Sequence, residues 1–223
     1  MRIVEAALNR LNILIENKIV SAEENKILEY LTRKSRNDID PRLKIKILEI
    51  LKLLIKKSKK PFGMIIILGW RREWNEKYAA ILDETQNMFE DKNYNLKDLS
   101  LQKAVKLFLS LKDFDGAVLI NREGKIIASG VYLINLNPKK CLEKLKLKGE
   151  DLSEAFGFKE KVHTRHITAI TASLLLDNTT VFTVSEESQT IRIYENGKII
   201  YSTLKAEIEE ILGKISKIEN NQA

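Results

Sequence analysis

The segment Pro41 to Lys57 constrains the fold of this chain more than any other stretch. Leu43, Ile45, Ile47, Leu48, Ile50, Leu51, Leu53, Leu54 and Ile55 recur at helical spacing, and they cover more than one face of the helix. A helix at a protein surface carries one apolar stripe, so a helix apolar on several sides must be buried against partners. Asp40-Pro41 starts it with a cap and a proline at the first helical position. Two helices are predicted before it. Met1 to Asn17 spaces Val4, Ala7, Leu8, Leu11, Leu14 and Ile15 helically, and Ser21 with Glu24 is a capping-box pattern for the second helix. Residues 1–58 therefore read as an all-helical extension that buries its apolar face in the main domain or in another subunit.

From Lys59 the texture changes. The run "GMIIIL", Gly63 to Leu68, is rich in isoleucine and bounded by glycines, which predicts a buried strand. Two helices are predicted next, roughly Glu73 to Glu90 and Leu96 to Leu111. The stretch "DGAVLINREGKIIASGVYLI" reads as two strands joined by a turn at Asn121 to Gly124. The polar, lysine-rich stretch from Asn135 to Lys161 holds one or two short helices, and a helix follows over Arg165 to Leu176. The strands "TVFTVS" and "QTIRIYENGKIIYST" come next, the latter turning at Asn196-Gly197, and Lys205 to Ile218 closes the pattern as an amphipathic helix. Strands and helices interleave around antiparallel hairpins, so the fold class is α/β, a mixed β-sheet flanked by helices with an N-terminal all-helical extension. The predicted division is 1–58 for the extension, 59–204 for the main domain and 205–223 for a C-terminal helix and tail.

At 223 residues and 44% hydrophobic, the chain can bury one substantial core. Its longest apolar run, Phe62 to Trp70, is roughly half of the ~20 residues that a membrane-spanning helix needs, so no membrane insertion is expected. The first residues carry Glu5, Arg10 and Glu16 and lack a small-residue cleavage site, which argues against a signal peptide and for a cytoplasmic protein. A single cysteine, Cys141, excludes an internal disulfide and a cysteine-cluster metal site. The net charge of +7, from 38 basic and 31 acidic residues, favours anionic partners without choosing among them. The lysine clusters lack interleaved aromatic residues, which speaks against a nucleic-acid surface.

The sequence lacks a G-x-x-x-x-G-K-[ST] loop, a G-x-G-x-x-G fingerprint, an H-E-x-x-H helix and a G-x-S-x-G elbow. Three other segments carry chemistry. In "KVHTRHITAITAS", both histidines of the chain sit at a helix start beside Arg165. Thr164 can cap that helix, and its first-turn amides, Arg165 and a protonated His166 would together make a cradle for a triphosphate. Alternatively, His163 and His166 cap or pack locally. Asp115 starts a strand and is followed by Gly116 and Ala117, small residues that let a ligand approach. Such an aspartate can hold a divalent cation or take a proton from a hydroxyl, or it is simply a turn residue. "VSEES" ends a third strand with Ser185, Glu186 and Glu187, either a second metal ligand or an acidic turn.

In order and spacing, "DGA", "IASGVYL", "TRH" with Ala169 three residues on, "VSEE" and the closing "NGKI" hairpin resemble the diadenylate cyclase (DAC) domain over roughly Ser58 to Thr203. The resemblance implies a nucleotidyltransferase that condenses two ATP into cyclic di-AMP and two pyrophosphates, with Mn²⁺ or Mg²⁺ as cofactor. It also implies self-association, because two domains face one another so that each 3′-hydroxyl attacks the other's α-phosphorus. By motif position, Asp115 would serve the 3′-hydroxyl and the metal, and Gly116 and Ala117 would shape the nucleotide contact. Tyr132 and Leu133 would lie at the adenine, with Leu133 presenting backbone. Thr164, Arg165 and His166 would hold the phosphates, Ser185 and Glu186 would lie beside the ribose, and Glu187 would reach the metal. Many bacterial members read G-T-R-H-R-A, whereas here His163 stands for the glycine and Ile167 for the second arginine. "YLINLNP" likewise departs from the frequent Y-L-P-L. The alternative is a nucleotide-binding sensor of the same fold that no longer catalyses.

Overall fold

The computed structural model describes residues 2–34, 38–81, 83–89, 92–149 and 151–221. The helices are α1 (Arg2–Glu16), α2 (Ala22–Lys34), α3 (Pro41–Lys57), α4 (Asn75–Tyr78), α5 (Leu101–Leu111), α6 (Pro138–Leu145), α7 (Leu152–Ala155), α8 (Thr164–Leu175) and α9 (Lys205–Asn220). The strands are β1 (Met64–Leu68), β2 (Ala79–Ile81), β3 (Ala117–Ile120), β4 (Ile126–Leu133), β5 (Thr180–Val184), β6 (Ile191–Glu195) and β7 (Lys198–Ser202). They form one seven-stranded sheet in the order β2-β4-β3-β1-β5-β6-β7. Only β1 and β3 pair in parallel, and α5 lies between them in the chain, so the sheet is mixed as the sequence implied.

Helices cover both faces of the sheet. Alternation along β1 sends Met64, Ile66 and Leu68 into a core shared with α1, α2, α3, α5 and α9, and sends Ile65 and Ile67 into a second core with α6 and α8. Helix α3 lies on the first face, where Leu43, Ile47, Leu48, Leu51 and Leu54 are buried. Four charged residues along its length are tied to neighbours. Lys44 donates to Glu195 of β6 at 2.7 Å, Lys52 donates to Glu24 of α2 at 2.5 Å, Glu49 accepts from Arg10 of α1, and Lys46 reaches the carbonyls of Leu96 and Leu99. The family of apolar positions and these four ties explain why this helix tolerates burial on several sides.

The predicted local signals are present. Ser21 and Glu24 exchange their capping bonds, with Ser21 N donating to Glu24 at 2.8 Å and Glu24 N donating to Ser21 Oγ at 3.2 Å. Asp40 accepts from the Arg42 amide at 2.9 Å ahead of Pro41. Asn196 and Gly197 take the two positive φ angles, 51° and 70°, of a tight hairpin turn between β6 and β7.

The helix expected over Glu73 to Glu90 is not there, and its last residue lies outside the described part of the chain. A 3-10 turn at Arg72–Trp74 and the short α4 lead instead into the edge strand β2, which pairs Ala79 with Leu133 and Ile81 with Val131. Asp83 then accepts from the Thr85 amide at 2.9 Å and starts a further 3-10 turn. A side chain that captures nearby backbone amides competes with helix, and the free edge of β4 supplies ladder bonds in its place. Helix α5 similarly starts at Leu101 rather than Leu96, where Ser100 provides the cap.

Leu48 is fully buried at the centre of the α3 packing. Leu48→Ala is expected to lower unfolding stability by about 2–5 kcal/mol, read as a lower urea midpoint at unchanged slope.

Candidate functional site

Strand register brings the separate motifs together. Ala117 pairs with both Ile65 and Val131, and Met64 pairs with Val184. Those registers put Leu133, Asp115, Gly63 and Ser185 in a row at one end of β4, β3, β1 and β5, the last three each just beyond the paired residues. Leu133 in turn pairs with Ala79 of β2.

Gly116 makes the row possible. Its φ of +84° favours glycine, and a Cβ there would come within 2.7 Å of the Val131 carbonyl and 2.9 Å of Gly130. The backbone of "DGA" therefore packs directly on β4, with Ala117 buried beneath and Asp115 exposed at the sheet end. Tyr132 and Leu133 follow on β4, both half-buried.

Helix α8 begins at the same end. His163 occupies the cap position without any side-chain capping bond, and Thr164 is the first helical residue rather than the cap predicted from sequence. Helix boundaries are set by backbone geometry, and the extended His163 backbone moves the start forward by one residue. The first amides of α8 thus lack a side-chain acceptor, which is the condition for an anion at a helix N-terminus. Arg165 lies across Gly63: a Cβ on Gly63 would fall 2.1 Å from the guanidinium carbon. The same guanidinium approaches Glu186 at 3.7 Å, and His163 stands 3.9 Å from Glu187. Ser185 donates its hydroxyl to Glu187 at 2.9 Å, and Glu187's own backbone amide together with that hydroxyl holds its carboxyl below the usual range.

His166 behaves differently from the sequence expectation of a protonated donor. It is 3% exposed, with Nδ1 at 2.8 Å from the Tyr194 hydroxyl and 3.0 Å from Thr183 Oγ1. Burial, reinforced by the nearby Arg192 and Arg165 charges, pushes its pKa down to about 3, so the ring is neutral at physiological pH. The Nε2 atom has no partner among the described residues. Behind it, Tyr194 is buried and pushed beyond the usual range, and the fully buried Arg192 is held by Glu207 and Glu160, both at 2.7 Å. Sequence reading missed Gly63, Thr183, Arg192 and Tyr194. The alternation in "IRIYE" was the available signal, since it places Arg192 and Tyr194 on one face of β6.

Among the described residues, no group of three His, Cys, Asp or Glu side chains converges on a metal position. Asp115 nonetheless fits a hard divalent cation. Its exposed carboxylate makes no hydrogen bond or ion pair among those residues, and such ions are commonly held by one or two carboxylates together with substrate phosphates. Glu187 is already engaged by Ser185.

A family model described as DAC, "DisA bacterial checkpoint controller nucleotide-binding", matches residues 54–199. The chain belongs to the DAC family. The match runs from the last turn of α3 into β7 and includes every member of the row at the sheet end. No curated protein matches the chain. Among solved structures, a hypothetical membrane spanning protein from Bacillus cereus is 17% identical, covering 90% of this chain and 88% of its own, with a TM-score of 0.49. A double mutant of DacA from Staphylococcus aureus is 18% identical, covering 77% of this chain and 92% of its own, with a TM-score of 0.43. No helix among the described residues is long and apolar enough to cross a membrane.

Two tests follow from this geometry. Gly63→Ala should displace only the mobile end of Arg165, so stability should change by less than about 0.5 kcal/mol while ATP affinity falls on the order of tenfold. Thermal melts and equilibrium titration with ATP measure the two quantities. His166 should also make stability depend on pH. Above pH 6.5 the folded and unfolded states both leave it neutral, whereas below 6.5 only the unfolded state binds the proton until about pH 3. Stability should therefore fall with pH by roughly 1.4 kcal/mol per unit in this window, a slope that His166→Gln should lose in denaturant titrations.

Proposed function

We propose that this chain is a diadenylate cyclase, condensing two ATP into cyclic di-AMP and two pyrophosphates at a site completed by a second, facing copy. The observation that carries this reading is the alignment of Asp115, Gly63 and Ser185 at one sheet end, with Arg165 laid over Gly63 and the uncapped start of α8 beside them. A triphosphate calls for a planar cation and free amides, and both are supplied here within one turn of helix. Membership of a nucleotide-binding family makes the ligand an expected one.

In the proposed reaction the 3′-oxygen of one ATP bonds to the α-phosphorus of the other, the bond from that phosphorus to its bridging oxygen breaks, and pyrophosphate leaves. The hydroxyl proton goes to Asp115. The step occurs twice per product, once in each direction across the interface. Arg165 holds the phosphates against Gly63, so the α-phosphorus is fixed relative to the row. The neutral His166, buttressed by Tyr194 and Thr183, sets the position of the first turn of α8 without adding charge. Mn²⁺ or Mg²⁺ on Asp115 would neutralise phosphate charge when bound. Ile167, at the position of the second arginine in many relatives, is buried in the core, so Arg165 and the helix amides carry the phosphate grip here. Helices α1, α2 and α3 pack on one face of the sheet, which supports pairing of the second copy at the sheet end that carries Asp115.

Asp115→Asn is expected to reduce cyclic di-AMP formation by about 10²–10⁴-fold without lowering the melting temperature, because Asp115 is exposed. Turnover per chain should rise with chain concentration as copies pair. Unchanged turnover in the variant, or full turnover per chain at dilutions where sedimentation shows only monomer, would refute the proposal.

A further inference from the structure

The chain has a second concave site at the opposite end of the sheet. The C-terminal end of β1 continues into Trp70, and the β3–β4 turn at Asn121 to Lys125 lies beside it, because Gly69 N and Trp70 N both donate to the Ile120 carbonyl, at 2.8 and 2.9 Å. Between them is a cavity of about 790 Å³. Among the described residues, Arg71, Arg72, Lys92, Arg122 and Lys125 line it together with one carboxylate, Glu123. The cyclase row at Asp115, Gly63 and Ser185 contributes nothing to this lining.

These cations are weakly matched by the protein. Arg122 has only long ion pairs, 3.7 Å to Asp38 and 3.7 Å to Glu123, and Arg71 has one of 3.7 Å to Glu73. The side chains of Arg72, Lys92 and Lys125 make no hydrogen bond or ion pair among the described residues. Exposed pairs of this kind contribute little and leave a strong positive field focused in the concavity. The floor is different in character. Trp70 is 3% exposed, donates its indole N–H to Asn75 at 2.7 Å and meets Trp74 edge-on at 5.6 Å, while Arg71 stacks 5.1 Å over the Trp74 ring. Phe89 adds a further ring to the wall. Weakly paired cations above a floor that includes the Trp70 ring suit a ligand that joins a polyphosphate to a flat ring. Its volume suits a small molecule, whereas an extended strand needs a groove lined with exposed aromatic platforms.

We propose that this cavity binds a nucleoside polyphosphate, at a site distinct from the cyclase row and independent of whether that row is catalytic. Trp70 lines this cavity and Trp74 packs edge-on against that ring, so indole signals report on ligand bound there. The test is titration of the full chain with ATP in EDTA, which prevents turnover, following tryptophan fluorescence and the two indole N–H resonances. Arg165→Ala and the double variant Arg72→Glu with Lys125→Glu are titrated in parallel, the charge reversals being on exposed residues. A saturable signal is expected that persists in Arg165→Ala, weakens on the order of tenfold or more in the double variant, and is competed off by inorganic tripolyphosphate. The proposal is overturned by no signal at millimolar ATP, by loss in Arg165→Ala, or by insensitivity to the charge reversals. An equal response to adenosine, or a signal given only by an oligonucleotide that ATP does not displace, overturns it as well.

Discussion

The burial of α3 against the sheet is the constraint from which the rest of the structure follows. A helix apolar on several sides cannot rest at a surface, and here it fills the space between α1, α2, α5 and one sheet face. Three of its charges, Glu49, Lys52 and Lys44, are tied to different neighbours: Arg10 on α1, Glu24 on α2 and Glu195 on β6 are the partners. Glu24 also accepts from Tyr201 on β7, so one carboxylate locks α2, α3 and the far strand together. Breaking one partner of such a network would leave a buried charge without compensation, which makes the arrangement specific as well as stable.

The chain leaves α3 and enters β1, the central strand, within a few residues. β1 is the strand that pairs with both β3 and β5, so its register aligns Asp115 on one side with Ser185 on the other. Gly63, just before β1, has no side chain, and Arg165 lays its guanidinium against the backbone there. Packing on one face therefore fixes the geometry at the sheet end. The opposite face carries a polar layer beneath α8, where His166, Thr183 and Tyr194 bond to one another and Arg192 is paired with Glu207. Buried polar groups hold position firmly once satisfied, and this layer sets the height of the α8 start relative to the row.

Features governed by neighbours in sequence were legible. The Ser21–Glu24 capping box, the Asp40-Pro41 start and the Asn196-Gly197 turn are each decided within a few residues, and each formed where expected. The motifs of the sheet end were legible singly, but their assembly depends on strand register, which no one segment encodes. The segment after Glu73 was misread because a helical pattern there loses to ladder bonds from β4, a partner far along the chain. His166 shares the buried stripe of α8 with Ala169, Ile170 and Ser173, so helical periodicity already placed it inside, whereas its neighbour Arg165 attracted a reading as a pair of surface donors.

The most direct measurement is mass spectrometry of the nucleotides after the full chain is incubated with ATP and Mn²⁺ or Mg²⁺ at a concentration where sedimentation shows paired copies. A diadenylate cyclase gives cyclic di-AMP with two pyrophosphates for each product. ATP that remains intact while demonstrably bound by the paired chain would contradict the catalytic reading and leave a nucleotide-binding sensor.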